Sequence, residues 1–285
     1  MQRLKNQALP PVRAITREYL EDKETRAVAA RIRRERIGHN LARLLVLAAF
    51  VGIWQGLAAL HDVTLLPGPL DTYAGLTRAW TIISSGAVET MVEIALGFAI
   101  GGASGVLLGS LIGQSAVVQG ILHPYLILYQ AIPKTGLAPM MVLILGFGLM
   151  PKVALAAMTS VFPVLENTII GVQRVDEDSL RLFRGLGASP LQIFFKLRLI
   201  NALPYIMTGI RVGVVLATVS VVVAEFVAGR VGLGAVMMVG YAQLDTPLVF
   251  GALFILSLVG LAYYFAALLL EAAVLGWFNL AHPTQ

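Results

Sequence analysis

The sequence contains no cysteine, which excludes a disulfide framework, a thiolate metal site, an iron–sulfur cluster and a cysteine nucleophile. Charged residues are scarce at 13% of the chain, whereas soluble domains carry roughly 25%. Low-complexity tracts, a Gly-X-Y period and sustained heptads are missing as well, which argues against disordered and fibrous proteins. Apolar residues make up 58% of the 285 positions and the mean hydropathy is +0.81. This composition is typical of an integral membrane protein.

Histidines are few and scattered, at His39, His61, His123 and His282, with no pair at i, i+4 spacing. That pattern does not predict a metal site. Serine and threonine within apolar helices usually bond the carbonyl of the preceding turn and do not act as nucleophiles. No acid/base constellation emerges, so we expect a chain that is not an enzyme and that binds no cofactor or metal itself.

Six segments are long and apolar enough to cross a hydrocarbon layer about 30 Å thick, which requires about 20 residues per helix. We therefore predict an all-α integral membrane fold with six transmembrane helices. The predicted spans are residues 41–60, 88–113, 117–148, 151–173, 200–226 and 247–276.

Three stretches have a pattern of their own. The second span carries a glycine at every fourth position from Gly97 to Gly113, which predicts close packing against another helix of the same subunit. The third span is interrupted around Pro133 and Pro139, and a break at membrane depth faces protein or water. Residues 61–87 contain a Leu-Pro-Gly-Pro start and aromatic side chains, which predict an interfacial helix on the outer surface.

Most lysines and arginines lie in two segments, 1–43 and 173–198. Because cationic segments next to spans are retained in the cytoplasm, both segments and both termini are predicted to be cytoplasmic, with 61–87 and 227–246 outside. The predicted organisation is a basic N-terminal segment (1–40), a six-helix transmembrane domain (41–276) and a cytoplasmic tail (277–285).

The cytoplasmic segment 174–199 predicts two short amphipathic helices joined at a glycine corner. Asp176 or Asp178 can cap the first helix, and Ser189 followed by proline begins the second. Such a hairpin can lie on lipid headgroups, or it can be the contact for a soluble partner.

A series of short motifs follows in order along residues 41–276. They are LPGP (66–69), QAIPKTGLAP (130–139), LGFG (145–148), FPVLENT (162–168), GLGAS (185–189), ALPYIMTGIR (202–211) and AEFVAGRVGLG (224–234). This set resembles the permease subunits of bacterial ATP-binding-cassette importers, in the branch that takes up nitrate, taurine, alkanesulfonates and thiamine pyrimidines.

The loop departs from the family pattern of Glu-Ala-Ala, three residues, Gly, nine residues and Ile-x-Leu-Pro. Here the Glu-Ala-Ala positions hold Arg181, Leu182 and Phe183, and the last position of the pattern holds Ile200. Because a cation replaces the carboxylate, a salt bridge of the family's glutamate is absent or reversed in this chain.

The resemblance implies a type I importer permease fold in the bacterial inner membrane, with a cytoplasmic coupling loop. It implies a second permease copy, two cytoplasmic ATP-binding subunits, an external solute-binding protein and surrounding lipid as partners, and no nucleic acid. No G-x-x-x-x-G-K-[ST] sequence is present, so ATP and Mg²⁺ are expected on the partner ATPase. The expected function is to form the translocation pathway by which a small solute crosses the membrane. The expected solute is either a nitrate-, sulfonate- or taurine-like anion or a pyrimidine-type compound.

Two sets of residues are the candidate sites. The predicted coupling residues are Asp178, Arg181, Leu182, Phe183, Arg184, Gly185, Gly187, Ala188, Ser189 and Pro190. The predicted pathway residues are Gln130, Lys134, Ser160, Glu166 and Asn167, because polar groups within spans normally face protein or water.

Alternatives from other classes stay open at this point. An ion-coupled secondary transporter would use Glu93, Glu166 and Glu225 as proton relays, and an integral membrane enzyme would turn over without a transport direction. Glu225 precedes a turn, which favours a structural role for it, and Glu271 near the end of the last span is expected to snorkel.

Overall fold

The computed structural model describes residues 38–39, 41–60 and 66–278, and these residues form helices joined by short turns, with no strand among them. In chain order the helices are α1 (Leu41–Ala59), α2 (Pro69–Arg78), α3 (Trp80–Gly113), α4 (Ala116–Ala131), a 3-10 helix (Lys134–Leu137), α5 (Ala138–Leu145), α6 (Leu149–Gln173), α7 (Glu177–Gly185), α8 (Pro190–Ile193), a π-helical turn (Phe194–Arg198), α9 (Leu199–Ala228), α10 (Leu233–Ala242) and α11 (Thr246–Trp277).

Five of the described helices, α1, α3, α6, α9 and α11, are each long and apolar enough to cross a membrane. Helix α4 and residues 134–145, which are bent by 69° relative to it, are together long and apolar enough for a sixth crossing. The predicted all-α membrane fold with an interrupted third span is therefore confirmed. Helix α1 lies in one compact unit and the other helices lie in a second. Most of the predicted N-terminal segment and tail lies outside the described residues.

The glycine ridge of α3 packs against α6 inside the subunit, as its spacing predicts. A Cβ atom added at Gly105 would lie 2.8 Å from the Val161 carbonyl oxygen, and one at Gly109 would lie 2.6 Å from the Leu165 carbonyl oxygen. Side chains at these positions would push the two backbones apart. Close approach of this kind is how helices associate in lipid, where apolar burial alone does not favour helix–helix contact.

Helix α6 also packs closely against α9, so α6 lies between two helices. A Cβ at Gly171 would lie 2.8 Å from the Cα of Ala202, and one at Gly209 would lie 2.9 Å from the Pro163 carbonyl oxygen. The three helices α3, α6 and α9 form the packed centre of the second unit, and the largest group of buried apolar side chains lies around them.

The segment before the second span differs from its prediction as one interfacial helix. Helix α2 ends at Arg78, and the next helix begins at Trp80 and continues as the span. Ile83 is fully buried and Gly86 lies against the backbone of Gly232, so this part packs on protein.

Two further differences concern the end of the chain. Residues 227–246, for which no helix was predicted, contain α10. Glu271 does not extend toward water as a snorkelling side chain would. Its carboxylate lies 3.2 Å from the Arg211 guanidinium of α9, and only 19% of its side chain is exposed. A partner within the protein removes the need to reach the membrane surface.

Candidate functional site

A cavity of about 430 Å³ lies where the interrupted span meets α6 and α9. Pro133 has no N–H to continue the helical ladder, and Ile132 is extended, so the chain turns away from α4 at this point. The cavity is lined by Gln130, Ile132, Lys134, Thr135, Thr159, Phe162, Pro163, Glu166, Asn167, Val212, Leu216, Val219 and Ser220. We call it the central cavity.

Four of the five predicted pathway residues line the central cavity: Gln130, Lys134, Glu166 and Asn167. The Lys134 ammonium donates a hydrogen bond to the Gln130 carbonyl oxygen at 3.4 Å and lies 4.5 Å from the centre of the Tyr129 ring. The Asn167 amide donates to the Pro163 carbonyl oxygen at 2.8 Å. The cavity thus combines a cation, a carboxylate and two amides.

Ser160 is the exception among the predicted pathway residues. Its side chain is fully buried and its hydroxyl donates to the Ala156 carbonyl oxygen at 2.8 Å within α6. It faces Gly101 of α3, on the side of α6 that packs against the glycine ridge. Ser160 and Asn167 are two helical turns apart on nearly the same face of α6, and Ser160 is covered because α3 approaches α6 closely at Gly101.

The segment 174–199 is a helical hairpin, as its sequence predicts. Asp176, the first of the two predicted caps, accepts a hydrogen bond from the Ser179 N–H at 3.1 Å and begins α7. Ser189 accepts from the Gln192 N–H at 3.3 Å, while the Gln192 side chain accepts from the Ser189 N–H at 2.8 Å. This reciprocal pair is a capping box and fixes the start of α8.

Gly187 forms the corner between the two helices. Its φ is +74°, a left-handed conformation that side chains with a Cβ rarely adopt. The Ala188 N–H donates to the Phe183 carbonyl oxygen at 3.0 Å and closes the end of α7. The corner therefore uses a backbone conformation that favours glycine and is closed by a main-chain hydrogen bond.

The hairpin exposes both charged and apolar side chains. The Arg181 guanidinium lies 3.1 Å from the Glu177 carboxylate and 3.8 Å from that of Asp178, and all three side chains are largely exposed. The cation that departs from the family pattern is thus paired within its own helix. Four large apolar side chains are also exposed, namely Leu182, Leu186, Leu191 and Phe195.

Hydrogen bonds join the base of the hairpin to the helix bundle. The Asn201 amide of α9 donates to the Arg174 carbonyl oxygen at 2.6 Å, and the Arg174 guanidinium donates to the Tyr205 hydroxyl at 3.0 Å. The Arg198 guanidinium donates to the Gln114 carbonyl oxygen at the end of α3, at 3.2 Å. The base is therefore held to α3 and α9 as well as to α6.

A group of buried ionisable side chains lies at the opposite end of α6 and α9. The sequence analysis did not predict this grouping. The Lys152 ammonium of α6 forms an ion pair with the Glu93 carboxylate of α3 and donates to the Val231 carbonyl oxygen at 3.2 Å. Lys152 and Glu93 are 3% and 0% exposed. In the sequence Lys152 is a single cation at the start of a span, which gives no sign of its partners.

Glu225 of α9 belongs to the same group. Its carboxylate accepts hydrogen bonds from the Thr90 hydroxyl at 2.6 Å and from the Gly234 N–H at 2.6 Å. The Thr90 hydroxyl in turn accepts from the Leu233 N–H at 2.9 Å. We call Thr90, Glu93, Lys152 and Glu225 the ionic cluster. Glu166 follows Lys152 by 14 residues on α6, about 21 Å along the helix axis, so the three glutamates do not form one relay.

Comparison with known proteins places these features in a family. Residues 105–276 match the model of the binding-protein-dependent transport system inner membrane component. The riboflavin transport system permease protein RibX of Chloroflexus aurantiacus is 35% identical over 82% of this chain and 88% of its own length. The formylaminopyrimidine transport permease protein ThiX of Halalkalibacterium halodurans is 32% identical over 75% of this chain and 86% of its own.

The fold has a counterpart among solved structures. An inward-facing structure of the MetNI methionine ABC transporter superposes with a TM-score of 0.60, covering 69% of this chain and 98% of the other, at 18% sequence identity. At this identity the likeness concerns the fold.

Proposed function

Because this chain belongs to the family of binding-protein-dependent transport system inner membrane components and is a permease subunit of an ABC importer, we propose that its solute crosses the membrane through the central cavity. The observation that carries this proposal is the meeting of Gln130, Lys134, Glu166 and Asn167 around one space beside a broken span. Non-helical backbone at membrane depth is tolerated where it lines a water-filled path.

The solute class that fits this lining best is a planar, uncharged heterocycle with amide-like edges, such as a pyrimidine or a flavin. The two amides and the Lys134 ammonium offer donors, and the Glu166 carboxylate is an acceptor that would repel an anion. Phe162 gives the cavity an apolar wall. Two relatives are named for transport of such compounds, riboflavin and a formylaminopyrimidine.

A small organic or inorganic anion is the second candidate. The observation in its favour is the Lys134 ammonium, which is only partly exposed and borders the cavity. An anion would have to lie near Lys134 and away from Glu166. The Glu166 carboxylate would therefore bind a heterocycle as an acceptor but would repel an anion.

The helical hairpin is the proposed contact with a separate ATPase. Its apolar side chains Leu182, Leu186, Leu191 and Phe195 are more than half exposed. Its capped helices and glycine corner suit it to transmit displacement to α6 and α9. In this role Arg181, Leu182 and Arg184 lie on the contact surface, and Gly187 to Pro190 set the angle between the two helices. ATP and Mg²⁺ belong to that partner.

The remaining partners and the orientation follow from the same proposal. The hairpin and both termini face the cytoplasm of a bacterial cell, and a second permease copy closes the open side of the central cavity. Val212, Leu216 and Val219 on that side of α9 are each about half exposed, which supports a partner there. An external binding protein delivers the solute to the opposite face.

Uptake by reconstituted vesicles tests this function. The chain is purified with the ATPase that accompanies it and with its binding protein, and uptake of radiolabelled riboflavin and of ethanesulfonate is measured with and without ATP. We expect ATP-dependent uptake of riboflavin that disappears when the ATPase lysine is mutated. Uptake driven by an ion gradient without nucleotide would overturn the proposal, and ATP-dependent uptake of ethanesulfonate alone would select the anion class.

A further inference from the structure

The ionic cluster holds a segment that we call the 229–234 turn. This segment comprises the residues between α9 and α10 together with the first two residues of α10. Lys152 binds the Val231 carbonyl oxygen, Thr90 accepts from the Leu233 N–H, and Glu225 accepts from the Gly234 N–H. Two main-chain donors and one main-chain acceptor of a single turn are therefore satisfied by side chains from three different helices, so the turn is attached to α3, α6 and α9 at the same time.

Neighbouring atoms leave little free space around the 229–234 turn. Gly232 has a φ of +126°, and a Cβ added there would collide with the Glu225 carboxylate. Gly86 of α3 lies beneath the same residue, where a Cβ would be 3.1 Å from the Gly232 carbonyl carbon. The backbone of Gly232 is thus in direct contact with the Glu225 carboxylate and with α3.

Stability alone does not account for such a cluster. A buried ion pair loses the hydration of both charges, and well-packed apolar residues of similar volume are often equally stabilising or better. Ionisable side chains within membrane segments mark functional positions by default. Glu93, Lys152 and Glu225 come from three helices that already pack through glycines, so the charges are not needed to bring α3, α6 and α9 together.

What the cluster adds is the link to a second cavity. This cavity has a volume of about 290 Å³ and is lined by Glu89, Phe147, Gly148, Leu149, Lys152, Ala228, Arg230 and Val231. The turn supplies Arg230 and Val231 to its wall, and the Arg230 guanidinium lies 5.9 Å from the centre of the Phe147 ring. A movement of the turn therefore changes the shape of this cavity.

The helices that carry the cluster also carry the helical hairpin. Helix α6 has 25 residues and spans about 37 Å, with Lys152 near its first residue and the hairpin after its last. Glu225 lies near the end of α9 that is remote from the hairpin. The ionic cluster and the hairpin are thus opposite ends of the same pair of packed helices.

Resting on the proposed function, we propose that Lys152 is a positioning residue for transport that joins the 229–234 turn to α3 and α6, so that displacement of the helical hairpin reshapes the second cavity at the external end of the subunit. Lys152 does not bind the solute in this account. It acts by holding Val231 and Glu93 at fixed positions relative to α6.

Cysteine labelling in the assembled transporter tests this inference, because the chain has no cysteine of its own. Val231→Cys, which leaves the main-chain contacts of the turn in place, is introduced into wild type, Lys152→Met and the double variant Lys152→Met/Glu93→Met. The double variant removes the ion pair as a unit, and Glu225 keeps its hydrogen bonds from the Thr90 hydroxyl and the Gly234 N–H. Arg78→Met is the matched control, because Arg78 is an exposed cation that pairs with Asp245 of the α10–α11 connection. Maleimide labelling rates are measured with and without trapped ATP.

The proposal predicts that trapped ATP changes the labelling rate in wild type and in Arg78→Met, and that this change is lost in the double variant while ATP hydrolysis continues. Solute uptake is lost together with the ATP-dependent change in labelling. An ATP-dependent change of wild-type size in the double variant would overturn the proposal, as would failure of that variant to assemble, which would assign the cluster to folding. Absence of any ATP-dependent change or uptake in wild type would overturn the proposed function itself.

Discussion

Ion pairs at the two ends of α6 and α9 differ in burial and in the distance along the chain between their partners. In the helical hairpin, Arg181 forms ion pairs with acidic side chains of its own helix, and all of these side chains are exposed. In the ionic cluster, Lys152 pairs with a residue of another helix, and neither side chain reaches the surface. The hairpin is built from local contacts and presents a surface, whereas the cluster is built from long-range contacts and fixes a position.

The largest difference between these regions is expected in stability. Lys152→Met leaves the Glu93 carboxylate buried without its partner, a loss of about 3–5 kcal/mol for a buried pair. Arg181→Met removes only an exposed pair, and its effect is expected to lie within experimental error. Thermal unfolding of both variants in detergent measures the difference. Equal unfolding temperatures would show that burial of the cluster has no energetic consequence.

Gly187→Val is expected to have the next largest effect, and on coupling more than on folding. A β-branched residue at φ +74° costs about 1–2 kcal/mol and changes the corner, so ATP hydrolysis should continue while uptake falls. Gly276→Val is the matched control, because Gly276 lies within α11, outside the hairpin, and has no neighbour within 4 Å of an added Cβ. Normal uptake by Gly187→Val would remove the corner from the coupling account.

Substitutions in the central cavity, which lies between the two ends, are expected to change solute uptake and not stability. Glu166→Gln removes a carboxylate that lines the cavity, and loss of a charged hydrogen bond to the solute costs about 1.5–3 kcal/mol, or roughly tenfold or more in uptake. Glu177→Gln makes the same chemical change on the exposed surface of α7. Uptake kinetics compare the two variants, and wild-type uptake by Glu166→Gln would exclude Glu166 from the path.

Ser160→Ala is expected to have the smallest effect of the series. Its hydroxyl bonds within α6 and faces α3, so removing it should leave uptake unchanged and alter thermal stability only slightly. Asn167→Ala, on the cavity side of the same helix, should reduce uptake. A strong transport defect in Ser160→Ala would contradict the assignment of its hydroxyl to the contact between α3 and α6.

Local signals in the sequence predicted the features that depend on neighbouring residues. Pro133 predicted the break in the third span, Gly187 and Ser189 predicted the hairpin, and the glycine spacing predicted close packing of α3. Each of these residues changes the backbone or its capping within one helical turn, so its effect can be recognised without the tertiary structure.

Features that depend on distant contacts were not predicted. Lys152 and Glu93 are 59 residues apart, and no local pattern pairs them. The burial of Ser160 depends on how closely α3 approaches α6 at Gly101, and the helix after Gly232 begins where Glu225 accepts from the Gly234 N–H. In each case packing between helices decides the outcome, and a single sequence does not contain it in readable form.

The account requires that the helical hairpin lie in the cytoplasm and be covered by the ATPase. Ala188→Cys in the otherwise cysteine-free chain tests this requirement with a maleimide that does not cross membranes. We predict labelling in inside-out vesicles stripped of the ATPase, protection when the ATPase is restored, and no labelling from the external side of intact spheroplasts. Labelling from the external side, or equal labelling with and without the ATPase, would contradict the account.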